Sequence, residues 1–400
     1  MSRKNGLAKW NDGFDIVALL ERIYRSCNSL DFELYLPVLL SAVTWPDDIP
    51  ESTRLELVRA SIQVQAAGKV PAAEVVLEKI KTQQRAYLKR RLTPHIVSTS
   101  LSVSTSWRLY PRIALGHEIR FLSRLDAARP GEELYGVPED PKSYKKIRLR
   151  LDARAVEDAW RRAFDAIDLL RGIWNFGLGR NRYRITFGGH TGKPFNSVLL
   201  GPRFTVYDEN AGTESRNQGC ITPFHLVRPV FDAAELKVII ATERRVCRGL
   251  ARASYHDAIE SGFIRYCRAL DEPDLNSSFL SLWSVLEYLS AAGAERYKDM
   301  IGRISMLWNR QEPHRSVLNH LRLVRNQQVH AGEGSGLAEA LIGQLKFYVE
   351  NLLVFHLSQG HRFEGLQEAG KFLDLPGGVN ELKRQTYLLK SAISVRSKGN

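Results

Sequence analysis

The chain has 400 residues, of which 44% are hydrophobic and 25% charged, so it can bury a sizeable core and is not globally disordered. Lys and Arg outnumber Asp and Glu by 57 to 44, and the resulting net charge of +13 favours a polyanionic partner without identifying one. No apolar run approaches the roughly 18 residues of a membrane helix, and the polar N-terminus lacks a signal-peptide stretch. A cytoplasmic protein with no membrane partner is therefore expected. The four cysteines form no CxxC pair, which argues against a disulfide framework or a structural zinc site.

The first 95 residues predict a helical N-terminal region. Apolar residues recur at helical spacing from Asp15 to Ser29 and from Thr53 to Ala67. Pro71 is suited to the start of a further helix, whose apolar face contains Val76 and Ile80.

Residues 96–231 predict a mixed α/β module. HIVSTSLSVSTSWRLY and YKKIRLRL, the latter at Tyr144–Leu151, have the alternation and β-branched content of strands. Between 153 and 173 an amphipathic helix is expected, with Asp152 as its N-cap, and residues 180–231 return to strands and turns. No phosphate-binding glycine loop stands in a usable context, so neither dinucleotide nor P-loop nucleotide binding is predicted.

Residues 232–360 predict an antiparallel helical bundle, because several long helical patterns follow one another with short loops. Asp232 is the expected N-cap of the first helix, Asn276 or Ser277 of a later one, and residues 361–400 form a peripheral C-terminal extension. The predicted fold class is α+β: mainly helical, with a mixed α/β N-terminal and middle region followed by this bundle.

One segment of the bundle, Leu321–His330 (LRLVRNQQVH), combines residue types that suit RNA chemistry. Histidine exchanges a proton near neutrality, arginine binds phosphate in a bidentate manner, and asparagine orients a hydroxyl or an imidazole. Arg325 and His330 are five residues apart, or about 140° out of phase on an ideal helix. They can share a cleft if the helix loosens at His330 or if two copies of the helix meet. The structural alternative is a helix end with a capping histidine and surface arginines.

These residues could cleave RNA without a metal. The ribose 2′-OH loses its proton and attacks the adjacent phosphorus, the 5′-oxygen leaves, and Arg325 offsets the charge of the transition state. The products would be a 2′,3′-cyclic phosphate and a 5′-hydroxyl. No cofactor is expected, and no spacing of histidines and acids predicts a metal site.

The C-terminal part, over about residues 254–360, resembles an Apea-like HEPN domain. The resemblance lies in Arg325-Asn326-(x3)-His330, in the upstream helix FLSLWSVLEYL with its embedded Leu286-Glu287, and in the following RISMLW. It implies a homodimer in which two facing motifs form one ribonuclease centre, in bacterial antiphage or toxin-type defence with an unknown trigger or antitoxin. Arg325 and His330 would then be catalytic, and Asn326 an orienting residue.

Two further residues have weaker assignments from the sequence. Glu287 either holds Arg325 or His330 by a charge-assisted hydrogen bond or is a surface carboxylate. Arg322, three residues before Arg325, either contacts RNA phosphate or is solvated. Trp283 and Trp308 are expected to fill the core.

The leading functional prediction is a metal-independent endoribonuclease. The alternative is a non-catalytic protein that dimerises through the bundle or binds nucleic acid or a nucleotide, since some HEPN domains have no activity. A metal-dependent nuclease would need a carboxylate cluster on a strand, and no convincing one occurs.

Overall fold

The structure is a computed structural model that describes most residues of the chain. These are 7–25, 29–46, 49–63, 70–123, 137–180, 194–211, 217–221, 225–230, 232–291, 297–331 and 338–397. Within these ranges, the description does not extend to the side chains of residues 25, 29–33, 51–52, 63, 217–218, 297–298 and 328–331.

The fold is of the mainly helical α+β class, and its contacts divide the chain into two compact units. The first unit is Met1–Val97, Leu149–Ala163 and Thr205–Asn217, and the second is Ser98–Arg148, Phe164–Phe204 and Gln218–Asn400. None of the described helices combines the length and the apolar character that crossing a bilayer requires.

The N-terminal part of the first unit consists of four helices and a two-stranded ribbon. The helices are α1 (Ile16–Arg25), α2 (Ser29–Ser41), α3 (Glu51–Gln63) and α4 (Ala73–Lys89), and the strands are β1 (Lys9–Trp10) and β2 (Val43–Thr44). Their core includes Leu20, Leu39, Val58, Val76 and Ile80. The helices α1, α3 and α4 lie where the periodicity predicted helices. The sequence prediction missed α2, whose interior Pro37 and continuous apolar run conceal a helical period.

A six-stranded sheet has the order β4-β5-β6-β3-β7-β8. Its strands are β3 (Thr93–Ser104), β4 (Arg112–Ala114), β5 (His117–Leu122), β6 (Tyr144–Ala153), β7 (Arg203–Asp208) and β8 (Asn217–Cys220). The hairpin β4–β5 turns at Leu115 and Gly116, which both have positive φ, 49° and 75°, as a two-residue hairpin loop requires.

The second unit contains the C-terminal helices. They are α5 (Val156–Gly179, from Phe164 onward), α6 (Ala233–Arg252), α7 (His256–Asp271), α8 (Leu275–Leu289), α9 (Tyr297–Ser305), α10 (Gln311–Ala331), α11 (Ala338–Gln359), α12 (Leu366–Leu373) and α13 (Val379–Ser397). Helix α11 packs against α6, α7 and α8, while α10 packs against α8 and α9. The long, mainly apolar α11 is therefore the centre of this helical assembly.

The helix caps confirm one prediction and correct two. Asp232 caps α6, accepting a hydrogen bond from Ala234 N, and Glu235 completes a capping box. Helix α8 begins earlier than predicted, because Asp274, rather than Asn276 or Ser277, is its N-cap. Asp152 is wrong as the N-cap of α5, because it lies within β6 and the helix begins at Val156.

Of the C-terminal extension, α12 is attached to the rest of the unit and α13 is exposed. Both oxygens of Asp374 accept hydrogen bonds from Arg303, which also donates to the carbonyls of Ser290 and Ala291. None of the α13 side chains is buried.

A buried ion network ties α5 to α7. Arg171, 1% exposed, lies 2.6 Å from Asp168 and 2.7 Å from Asp271, and it also donates to the carbonyl of Val198. Arg268 donates to Asp168 from the other side. Because each buried charge has a hydrogen-bonded partner, the network fixes how the two helices meet.

We expect Arg171→Ala to lower the free energy of unfolding by about 3–5 kcal/mol, because Asp271 would lose the cation that pairs with it and Asp168 would keep only Arg268. Urea unfolding followed by circular dichroism measures this change. The control is Arg315→Ala, which removes an exposed cation 3.5 Å from Glu312 and should cost less than about 1 kcal/mol. Equal effects of the two substitutions would contradict the role of the network.

Candidate functional site

The candidate motif lies in the second half of α10. The helix faces its neighbours α8 and α9 through a buried apolar stripe that includes Leu318, Leu321 and Val324. These three positions recur every three residues, which keeps them on one side of the helix. Arg322 and Asn326 therefore lie beside this stripe, while Arg325, seven residues after Leu318, lies on the same side of the helix as the stripe. These three residues are called the polar flank of α10.

Arg325 and Asn326 are adjacent on this flank, and both are half-buried. Arg325 Nη1 donates to Asn326 Oδ1 over 3.5 Å, a long contact that leaves the amide only weakly held. The pair presents a permanent cation beside a side chain that can both donate and accept. This combination suits recognition of a phosphodiester together with a neighbouring hydroxyl.

Arg322 contributes a second cation one helical turn before the pair. Its Nε atom is buried and has no hydrogen-bond partner in the part of the chain that the structure describes. A buried N–H without a partner is energetically costly, and an anion could bind this atom only if the guanidinium group moved towards the surface. The phosphate-contacting role assigned to Arg322 from the sequence stays a prediction.

His330 lies within α10, but its side chain is outside the described residues. The helical register nevertheless determines which other positions of α10 lie on the same face as position 330. Positions 322, 326 and 330 follow one another at intervals of four and share a face of a regular helix. Position 325 lies off that row, so the register aligns the histidine with Asn326 rather than with Arg325.

Glu287, on α8, is half-buried and accepts a hydrogen bond at 2.8 Å from the indole Nε1 of Trp283, one turn earlier in the same helix. This bond fixes one carboxylate oxygen and points to a role in packing α8. Trp283 itself is 1% exposed and belongs to the core, as expected.

Trp308 is only partly buried and forms an aromatic stack that the sequence reasoning missed. Its ring lies 4.0 Å from the ring of His314, nearly parallel to it, and 5.5 Å from Phe347. His314 Nδ1 and Tyr348 Oη are 3.3 Å apart, and burial lowers the pKa of His314. The stack joins the loop after α9, the start of α10 and α11, and so positions the helix that carries the motif.

A cavity of about 670 Å³ lies beside α5 and α6, with apolar walls that include Leu170 and Ile173. Two glutamates, Glu243 and Glu260, line it. Glu243 accepts hydrogen bonds from Arg112 Nε at 2.9 Å and from Trp174 Nε1 at 2.8 Å. Because these donors hold the carboxylate, Glu243 is engaged in structure rather than poised as a general base.

No group of three or more His, Cys, Asp or Glu side chains in the described ranges is arranged to hold a metal ion. His190, one of the weaker histidine candidates in the sequence, lies outside those ranges.

His356, on α11, is a buried histidine with a structural role. Its Nε2 is 2.8 Å from the carbonyl oxygen of Leu289, which can only accept, so Nε2 carries the proton. Its Nδ1 then accepts from the hydroxyl of Tyr255 at 2.9 Å. Burial lowers the pKa of His356 to about 4 and raises that of Tyr255 to about 12. The neutral imidazole thus joins α7, α8 and α11.

Comparison with known proteins gave no relative: no family model matches the sequence, and no curated protein and no solved structure matches the chain. The site is therefore interpreted from its own residues and their contacts.

We expect the stability of the chain to fall as the pH drops from about 6.5 towards 4. The folded pKa of His356 is about 4 against an ordinary 6.5, so the unfolded state binds the extra proton within this window. Between pH 7.5 and pH 5 this group alone should remove about 2 kcal/mol.

Urea unfolding at several pH values tests this expectation. His356→Gln should be less stable at pH 7.5 but should lose about 2 kcal/mol less than the wild type between pH 7.5 and pH 5. Identical pH slopes for the two proteins would show that His356 is not the titrating group.

Proposed function

We propose that the protein is a metal-independent endoribonuclease of the HEPN type, with its centre on α10. The observation that carries the proposal is the polar flank of that helix. There Arg325 and Asn326 are in contact, and the unpartnered Nε of Arg322 lies one turn away. Two guanidinium groups and an amide on one flank match the groups that a scissile phosphodiester and its 2′-hydroxyl present.

In the proposed reaction, the neutral imidazole of His330 removes the 2′-OH proton and the 2′-oxygen attacks phosphorus. The bond from phosphorus to the 5′-oxygen breaks, that oxygen takes up a proton from water, and the imidazolium of His330 releases its proton to the solvent. Arg325 neutralises the charge that accumulates on the non-bridging oxygens, while Asn326 orients the 2′-hydroxyl or the imidazole. Arg322 holds the neighbouring phosphate. Each group acts near neutral pH without a metal ion.

The proposal includes a homodimer. Positions 325 and 330 are about 140° out of phase on one regular helix, so a single copy of α10 separates the two groups. Two copies that meet along this flank would bring the arginine of one protomer towards the histidine of the other. The partly exposed Leu323, at 54%, supplies apolar surface on the same helix for such a contact.

The second candidate function is non-catalytic RNA binding by the same flank. The net charge of +13 and the unsatisfied Arg322 Nε favour it equally well. It predicts salt-sensitive binding, because neutralising phosphates releases counterions, and it predicts no cleavage product.

The two functions differ in what substitutions on α10 do to a mixed RNA substrate incubated with purified protein. Catalysis predicts that His330→Ala and Arg325→Ala each slow cleavage by about 100-fold or more, because proton transfer and charge stabilisation contribute at least that much. The controls on the same helix are His320→Ala, at an exposed position, and Arg315→Ala. Both should stay within about twofold of the wild type.

An inactive wild type, or a His330→Ala variant as fast as wild type, would contradict catalysis. RNA binding that weakens steeply with salt and yields no product would then identify the second function.

Cleavage should continue in excess EDTA, because no step uses a metal ion. An RNA with one 2′-deoxyribose should resist cutting at that nucleotide alone, because its nucleophile is missing there. End-group analysis of the fragments, by phosphatase sensitivity and mass spectrometry, should find a 2′,3′-cyclic phosphate and a 5′-hydroxyl. Loss of activity in EDTA, or fragments with 5′-phosphates, would exclude the mechanism.

A further inference from the structure

A second concentration of positive charge lies at a cavity of about 480 Å³ between the end of α5, the second half of α6 and the end of α11. The cations that line it are Arg180, Arg245, Arg248 and Arg252. Three of them recur at intervals of three and four along α6, so they project from one face of that helix. The α10 motif contributes no residue to this cavity.

Two of these cations contact the same aromatic ring. The guanidinium groups of Arg180 and Arg245 lie 5.7 Å and 5.9 Å from the centre of the same ring, that of Phe176. Phe176 is fully buried and packs edge-on against Phe263, so the ring is fixed. The face of an aromatic ring attracts each guanidinium. Both positive charges therefore lie beside the same ring, although they repel each other.

Among the residues that the structure describes, no carboxylate neutralises the cluster. Within the described residues, none of the four arginines has an ion-pair partner. Arginines elsewhere in the same unit are paired: Arg112 with Glu243, Arg171 with Asp168 and Arg303 with Asp374. Burial and the charge of Arg180 together lower the pKa of Arg245. An anion in the cavity would relieve this repulsion.

The other walls of the cavity are apolar. Val354 and Leu357 of α11 and Ala251 of α6 line it beside the arginines. Gly249 brings the two helices together, since a Cβ atom at this position would lie 2.9 Å from the carbonyl oxygen of Leu357. A ligand that fills the cavity should therefore combine an uncharged organic part with concentrated negative charge.

We propose that this cavity binds the phosphate chain of a nucleoside di- or triphosphate. A nucleic-acid backbone carries one charge per nucleotide, whereas a di- or triphosphate carries several charges on adjacent groups. Several adjacent negative charges match the four arginines that line one cavity. The volume lies within the range of about 300–1,000 Å³ typical of small-molecule sites. The nucleoside would rest against Val354 and Leu357.

Isothermal titration of the full-length protein with ATP, GTP, tripolyphosphate, AMP and sulfate tests the proposal. The triphosphates should bind, tripolyphosphate should displace them, and AMP and sulfate should bind at least about tenfold more weakly. Arg245→Ala/Arg248→Ala should weaken triphosphate binding by about tenfold or more. Both side chains are exposed, and circular dichroism checks that the variant folds.

The matched control is Arg244→Ala, which removes the same charge from the same helix without lining the cavity. It should leave the affinity within about twofold of the wild type. Equal weakening by the control, sulfate binding as tight as ATP, binding of RNA alone, or no binding of any triphosphate would each overturn the proposal. The assay measures binding alone, so its outcome does not depend on ribonuclease activity.

Discussion

The arrangement of the second unit depends on the buried pairing of Arg171 with Asp168 and Asp271. An isolated charge in this position would be far too costly, so the pairing forces α5 and α7 into a single register. Helix α7 packs against α8 and α11, α8 packs against α10, and α11 packs against α6. Through these contacts, the helices that the ion network joins belong to the same packed assembly as α10 and the helices that line the arginine cavity.

The sequence predicted well those features that depend on local patterns. Asp232 could be predicted as a cap because a short carboxylate directly before a helical pattern is a local signal. Helix α2 was missed because it contains Pro37, and the packing that stabilises the helix despite this proline involves residues distant in the sequence. Likewise, no period in the sequence shows that Arg180 approaches Arg245, because Phe176 brings them together only in the folded chain.

The candidate residues of α10 divide in the same manner. Arg322, Arg325 and Asn326 could be selected by residue type and spacing. The orphaned Nε of Arg322 could not, because it depends on what surrounds the guanidinium. Glu287 illustrates the converse: its embedded position suggested a partner on another helix, whereas the folded chain gives it the indole of Trp283 within its own helix. The sequence therefore identifies the charged residues of a site more readily than it identifies their partners in the fold.

Gly249 sets the distance between α6 and α11 by backbone approach, since the obstacle to a side chain there includes the carbonyl oxygen of Leu357. A carbonyl cannot rotate aside as a flexible side chain can. The spacing of the two helices consequently determines the width of the arginine cavity. The size of the ligands that it admits would therefore depend on the helix backbones rather than on movable side chains.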